Sequence, residues 1–431
     1  MNPKDYINAK GISNVSIFIL LLSILSYNGC STTRIIINKN GNSNTIKSLD
    51  TCDTFWNAIK HLNVNCTYPN IRSDEYLFLT ALKEYLNGNF ETAESLYSNL
   101  AQSSLDTNII QNARTMLNIQ PAHQTHGENI NYVNHKFTKT SSEDINANIH
   151  IAKEVLEYPD TPDTLLFERS SFGAPIVEVN INGKSKKFWL DTGSSDLIVS
   201  SDIAEECCIS TIDSSMVSVK TATSAITGFR TTVSKLSIGN YTAKNLPGII
   251  IEGKYLNTKI LYLFYRYKID GIVGWNLIKT LCVTFNYPKS LLIIDKPKNN
   301  QNSIRNVEWL ESPLLKIPNC DGDTLLFMFD TGAEFSSINQ NIFHTMPNLK
   351  TKIGVVNYQG VGGKKISLGK IVDHLSLITN KVNIELHKIP ILQLDVTNFI
   401  QYDGVIGNDL LRDGVLTINY QSKYFEFNIC K

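Results

Sequence analysis

The sequence predicts a mainly β protein in which one β unit occurs twice, preceded by a small α-helical region. Three observations predict it. From about residue 164 onward, short runs of Val, Ile, Phe and Thr alternate with Gly, Asn, Asp and Pro, the pattern of strands separated by turns. About 100 residues of this region recur further along the chain at a nearly constant offset. Between Tyr76 and Tyr97, by contrast, apolar residues recur at three- and four-residue steps, as on one face of a helix.

The chain has 431 residues, enough for two or three domains. Forty Lys and Arg balance forty Asp and Glu, so nothing in the charge points to nucleic acid. Hydrophobic residues make up 42% and charged residues 19%, as in an ordinary folded protein.

Residues 1–29 read as a secretory signal peptide. Lys4 and Lys10 precede the apolar run Val15–Leu25. That run is too short for a spanning helix, which needs about 20 residues. The following Ser26-Tyr-Asn-Gly-Cys30 resembles the processing site of bacterial lipoproteins, with Tyr27 where those favour Leu. The resemblance implies lipidation of Cys30, a membrane anchor, and a functional region outside the cytoplasm; a plain cleaved signal or a short N-terminal anchor is the alternative. Residues 30–50, rich in Asn, Ser and Thr, read as a tether.

Residues 51–120 read as helical. Tyr76–Leu86 supplies one amphipathic helix, and Gly88-Asn-Phe-Glu-Thr-Ala93 leads into a second with Leu96 and Tyr97. Small Ala93 lets the helices approach, while Phe90, Leu96 and Tyr97 fill the seam. The pattern resembles a single tetratricopeptide unit; a generic helical hairpin fits equally. Residues 121–163, with Pro121 and Gly127, read as a linker. His123 and His126 lie there without a third ligand, so no metal site is expected. Of eight cysteines, Cys52 and Cys66 could form a local disulfide, whereas the adjacent Cys207 and Cys208 rarely pair; buried free thiols are the other reading.

The repeat carries the chemistry. Phe188-Trp-Leu-Asp191-Thr-Gly-Ser-Ser195 corresponds to Phe327-Met-Phe-Asp330-Thr-Gly-Ala-Glu334, 139 positions later. Leu236-Ser-Ile matches Leu375-Ser-Leu at the same offset. The offset then becomes 133, matching Asp270-Gly-Ile-Val-Gly274 to Asp403-Gly-Val-Ile-Gly407 and Val283-Thr-Phe-Asn-Tyr287 to Leu416-Thr-Ile-Asn-Tyr420. One Asp-Thr-Gly is a weak signal. Two, each after an apolar strand and each followed by the same late glycine motif, are specific.

These residue types suit a paired-carboxylate site. The apolar run before each Asp places it at the end of a buried strand, and Gly193 and Gly332 allow a tight turn there. Thr192 and Thr331 can hydrogen-bond across to the facing loop. Gly274 and Gly407 allow their strands to pass close beneath. Two carboxylates ~4 Å apart at an effective dielectric of ~20 repel by about 4 kcal/mol, roughly three pKa units. Such a pair shares one proton from acidic to near-neutral pH. One member can then take a proton from water while the other donates to a carbonyl. This chemistry needs no metal and no cofactor.

Residues 170–430 resemble a tandem pair of retropepsin-like aspartic protease lobes, of the clan that includes pepsins. The resemblance implies two acid-protease-type β-barrel lobes, residues 164–300 and 305–431, facing each other across a peptide cleft. It implies a peptide or protein substrate, catalytic roles for Asp191 and Asp330, and a catalytic unit complete within one chain. Gly360-Val361-Gly362-Gly363 resembles the glycine-rich tip of a flap. Glu334 falls where viral members carry an acid that contacts substrate backbone. Ser194 is similar to pepsins, whose hydroxyl supports the carboxylate, and Ala333 to the viral type, which lacks that bond. The chain departs from the pattern at two places. The first flap, near Thr221–Ser224, has no glycines, and Trp275 and Asn408 stand where viral members have Arg. The rival reading is a membrane-anchored module that binds peptides or proteins without cleaving them. Trp189, on the approach strand, is expected in the core.

Overall fold

A computed structural model describes residues 34–37, 54–119 without 61 and 65–67, and 153–429 without 171, 222–223, 260–265, 299–304, 310–311, 361–362, 380–381, 393–401 and 413. The leader, Cys30, most of the expected tether and linker, His123, His126, Val361, Gly362, Cys52, Cys66 and Cys430 lie outside the described residues. Cys207, Cys208, Cys282 and Cys320 are free thiols.

Four helices come first: α1 (Phe55–Lys60), α2 (Ser73–Leu86), α3 (Phe90–Ser103) and α4 (Thr107–Ile119). Gly88, at φ 85°, ends α2 and turns the chain into α3. Asp106 starts α4 by accepting the N–H groups of Asn108 and Ile109, at 2.9 and 3.3 Å. The helices bury Phe78, Leu82 and Tyr85 against Ala93, Tyr97 and Leu100, then Ile109, Ala113 and Met116.

The β region contains two matching sets of strands. The first is β1 (Pro175–Ile181), β2 (Lys184–Leu190), β3 (Leu197–Ser200), β4 (Thr211–Lys220), β5 (Ala225–Ile238), β6 (Tyr241–Ile251), β7 (Gly271–Val273), β8 (Cys282–Asn286) and β9 (Leu291–Asp295). The second is β10 (Pro313–Pro318), β11 (Thr324–Phe329), β12 (Ser337–Asn339), β13 (Thr351–Gly360), β14 (Gly363–Ile378), β15 (Val382–Leu392), β16 (Gly404–Ile406), β17 (Gly414–Asn419) and β18 (Tyr424–Ile429). One sheet runs β6-β3-β7-β2-β1-β5-β4, and β5 also pairs with β6, closing a barrel. The other runs β10-β11-β16-β12-β15-β14-β13, the same neighbours in counterpart order. There a bridge from Asn319 to Leu377 links the end of β10 to β14.

Strand β2 shows how sequence sets depth. Its first residues, Lys184-Ser-Lys-Lys, are largely outside, while Phe188, Trp189 and Leu190 are buried on both faces. The buried half is where β7 runs parallel beside it. Trp189 is core, edge-on to Phe172 at 5.1 Å.

A third sheet joins the halves in the order β18-β17-β8-β9. Thr284 of β8 lies opposite Thr417 of β17. These two residues are repeat counterparts, and their hydroxyls meet at 2.8 Å. A two-fold relation between the halves therefore passes through this pair.

The helices do not stand apart from the β region. Their core is continuous with Leu314, Leu326, Met328, Tyr402 and Val405 of the second half. In the first half the corresponding face, with Trp189 and Ile272, is covered by the half's own hairpin through Val217, Val219 and Ile226. Helix α2 is also held at its C-terminus, where the Leu86 carbonyl accepts from Lys423 Nζ (2.5 Å) and Tyr420 Oη (3.4 Å). A cation there complements the helix dipole.

One expectation is corrected. Residues 34–37 fall within the stretch read as a tether, yet they pair antiparallel with β15, Arg34 opposite Glu385. Three consecutive isoleucines make this a good strand, and it covers an otherwise open sheet edge.

Candidate active site

Strands β2 and β11 deliver Asp191 and Asp330 to the same place. Each leaves its strand with its backbone N–H held by the parallel neighbour: Asp191 by Val273 O and Asp330 by Ile406 O, both at 3.0 Å. Each then enters a tight turn whose N–H groups point back at the carboxylate. Gly193 and Ser194 donate to Asp191 Oδ1 at 2.9 and 3.1 Å, and Gly332 donates to Asp330 Oδ1 at 2.7 Å.

The two turns lock together through Thr192 and Thr331. Thr192 N–H donates to Thr331 Oγ1 and Thr331 N–H donates to Thr192 Oγ1, each at 3.0 Å. The hydroxyls donate onward to the opposite strands, Thr192 to Phe329 O (2.8 Å) and Thr331 to Leu190 O (2.7 Å). All four bonds are buried, and each has its mirror, so neither turn can shift alone.

Both glycines are required by this closeness. A Cβ on Gly193 would lie 2.4 Å from Asp330 Cγ, and one on Gly332 would lie 2.6 Å from Asp191 Oδ2. Each turn thus rests on the other's carboxyl group. The late glycines act in the layer below. A Cβ on Gly274 would meet Asp196 O at 2.2 Å, and one on Gly407 would meet Ala333 O at 2.9 Å.

Asp191 and Asp330 are both fully buried, each with its carboxyl group packed against the other's turn. Neither Oδ2 has a hydrogen-bond partner in the protein. Two ionised carboxylates buried side by side would repel strongly, so the pair shares a proton. Burial raises both pKa values. Backbone N–H groups limit the rise at Asp191, to about 6. The charge of Asp191 adds to burial at Asp330 and holds it well above the usual carboxylate range. Burial and mutual repulsion together keep one proton on the pair up to near-neutral pH.

Several of the residues singled out in the sequence behave differently from the pattern that the resemblance implied. The Ser194 hydroxyl donates to Asp196 O at 3.0 Å, not to the carboxylate; Ser194 supports Asp191 through its backbone N–H. The Ala333 N–H donates to the Asp330 backbone carbonyl at 3.2 Å, so the Asp330 carboxyl has one backbone donor, Gly332, where Asp191 has two. Asn408, in the place of the viral Arg, donates to Thr331 O at 2.7 Å and accepts from Tyr287 Oη of the first half at 2.6 Å. It ties the second turn to the opposite half without an ion pair. Sequence reasoning passed over Tyr287 and the Thr284–Thr417 pair, although both belong to the repeated Thr-apolar-Asn-Tyr motif. Trp275 is buried edge-on to Tyr420 at 6.0 Å, again across the halves.

Glu334 is half-buried beside Asp409, and burial plus that charge push its pKa up to about 7. The flap candidate is a hairpin: β13 and β14 pair as far as Gly360 opposite Gly363. Its two connecting residues, Val361 and Gly362, lie outside the described residues. In the first half the matching hairpin turns at Thr221–Ser224, closed by Thr221 N–H to Ser224 O at 2.7 Å.

Comparison with known families bears on the first of the two turns. Residues 177–262 match the family described as "gag-polyprotein putative aspartyl protease". The matched stretch holds Asp191-Thr-Gly and the β4–β5 hairpin. The mainly β architecture, with its closed barrel, is consistent with an aspartic protease domain. No curated protein matches the chain.

Proposed function

We propose that this chain is an aspartic endopeptidase whose two β halves act as tandem acid-protease lobes. The observation that carries the reading is the pair of buried carboxyl groups at the ends of β2 and β11, set side by side by the interlocked Thr192 and Thr331 turns. The family match at residues 177–262 supports a protease-like function independently.

In the proposed mechanism a water bound between the carboxyls loses a proton to Asp191 as it attacks the scissile carbonyl. Asp330 donates its proton to the carbonyl oxygen. The tetrahedral diol then collapses, with a proton returned to the leaving amine. The Thr192–Thr331 lock contributes by holding both carboxyls in place before substrate arrives, so little reorganisation is needed during reaction. The β13–β14 hairpin serves as a flap, with Gly360, Val361, Gly362 and Gly363 at its tip, and Glu334 contacts substrate. Because both lobes lie in one chain, the catalytic unit is a monomer. The helices form a tetratricopeptide-like pair fused to the second lobe. The leader exports the chain, and lipid on Cys30 anchors it to the outer face of a membrane.

The full chain is expected to cleave a peptide library near neutral pH, with Asp191→Asn and Asp330→Asn each reducing turnover by at least about 10³-fold. Binding of peptides without turnover by the parent chain at any pH would instead establish the non-catalytic module.

A further inference from the structure

The β13–β14 hairpin carries a surface that the catalytic reading does not use. Ile353 and Val355 on β13 and Ile366 and Leu368 on β14 are all exposed, between 56% and 78%. Val355 lies opposite Leu368, Ile353 opposite Lys370, and Ile366 opposite Asn357, so the four apolar residues share one face. They are four of the ten large exposed apolar side chains among the described residues. The other face of the hairpin is turned inward, with Val356 buried against Gly369.

The counterpart positions in the first half are Ser214, Met216, Thr227 and Phe229. Half of those are polar, so the repeat does not require an aliphatic stripe. Charge differs in the same way. By register Lys364 and Lys370 share the aliphatic face, while Lys352 lies on the other face and pairs with Asp373. An aliphatic face flanked by lysines fits an anionic lipid surface, where apolar groups enter the headgroup layer and cations meet phosphate.

The N-terminal strand points the same way. Residues 34–37 belong to the same sheet, on the far side of β15 from β14. Two further strand spacings separate them from β14, and β13 lies about 15 Å away. Arg34 lies opposite Glu385 and Ile37 opposite Val382, so the strand enters from the side of Pro390. The β14 partner of Pro390 is Ile371, and Leu368 lies three positions beyond. Only three residues separate Cys30 from Arg34, four backbone steps with a reach of at most about 14 Å. An anchor at Cys30 therefore holds this end of the sheet close to the bilayer.

We infer that the outer face of the β13–β14 hairpin, through Ile353, Val355, Ile366 and Leu368, rests in the lipid headgroup layer of the membrane that anchors the chain. The seating rests on the anchoring read from the leader and Cys30, and its consequence for substrate rests on the proposed catalysis. Seated so, the second lobe faces the bilayer and the flap works at its surface, which selects membrane-proximal polypeptide as substrate.

Tryptophan depth measurement tests it. Full-length Leu368→Trp and Val355→Trp proteins are placed on vesicles of phosphatidylethanolamine and phosphatidylglycerol, with and without brominated acyl chains, and the parent signal is subtracted. Both new tryptophans are expected to shift to the blue and to lose about half their emission to bromine. Met216→Trp, the first-half counterpart of Val355, is expected to do neither. Vesicle-bound protein with both hairpin tryptophans unshifted and unquenched would overturn the inference while leaving the anchor intact. Protein that fails to float with vesicles at all would overturn the anchor, and the inference with it. Cleavage of a soluble peptide, measured on the same samples, reports the catalytic reading separately.

Discussion

Replacing Asp330 by Asn separates the shared proton from catalysis. The substitution is isosteric: its amide oxygen can still accept from Gly332 N–H, and its NH2 can donate to Asp191. In the parent, Asp330 keeps its proton when folded and loses it near pH 4 when unfolded. The folded state then binds one proton more than the unfolded state, so this group makes stability fall as pH rises. The slope is about −1.4 kcal/mol per pH unit. Above Asp191's value of about 6, Asp330 is the only member of the pair still contributing. From about pH 6 upward the variant should therefore gain on the parent at that slope for as long as Asp330 keeps its proton. Lys423, pushed down to about 7 by burial, Lys279, pushed down to about 8, and Glu334 titrate in the same window. They do so in both proteins, and their effects cancel in the difference. Urea midpoints of the two full-length chains, taken at half-unit pH steps, give the comparison. Parallel stability curves would show that Asp330 is ionised in the folded protein, and the shared-proton account would fail.

The pH–rate profile of the parent should have its acid limb near 6, because kcat/KM falls as Asp191 takes up a proton; a limb below about pH 4 would place the base elsewhere. Thr331→Ala removes two buried hydrogen bonds and strands the Leu190 carbonyl, so it should cost about 2–3 kcal/mol in thermal or urea unfolding and depress kcat, while Thr331→Ser restores most of both. Deleting residues 1–120 uncovers Leu314, Leu326, Met328 and Val405 behind the Asp330 strand. The shortened chain should aggregate or bind a dye for exposed apolar surface; full activity in soluble, shortened protein would contradict the docking of the helices.

Much of the site was legible because it is written twice. Asp-Thr-Gly and the late glycine are short-range devices: a turn, a close approach, a hydroxyl that reaches across. Each leaves its own residue type at its own spacing. The Ser194 hydroxyl was misjudged because a serine in this turn has two acceptors within reach, and only the three-dimensional turn decides between the carboxylate and Asp196 O. Asn408 could be located as a departure, but its bond to Tyr287 spans 121 positions and has no local signature. The strand at 34–37 was hidden for another reason. Four residues are too few for a periodicity, and their partner strand lies some 350 positions away.

The helical region shows most clearly what a duplicated sequence conceals. Trp189 and Met328 are counterparts, as are Ile272 and Val405, so the two halves present the same apolar face. A repeat predicts one cover for both, namely the half's own hairpin. In the first half that holds, with Val217, Val219 and Ile226 closing over the face. In the second the helices take the position, and Lys423 and Tyr420 fix the end of α2 to the adjoining turn. Burial of an apolar face does not specify which element supplies the partner surface. The second hairpin is thereby relieved of that role, and its outer face carries aliphatic residues and lysines where the first half has Ser214 and Thr227. The two halves share one arrangement at the carboxyl pair, where any change on one side would need its mirror on the other. Away from the two-fold they have diverged, because there each surface answers only to its own neighbours.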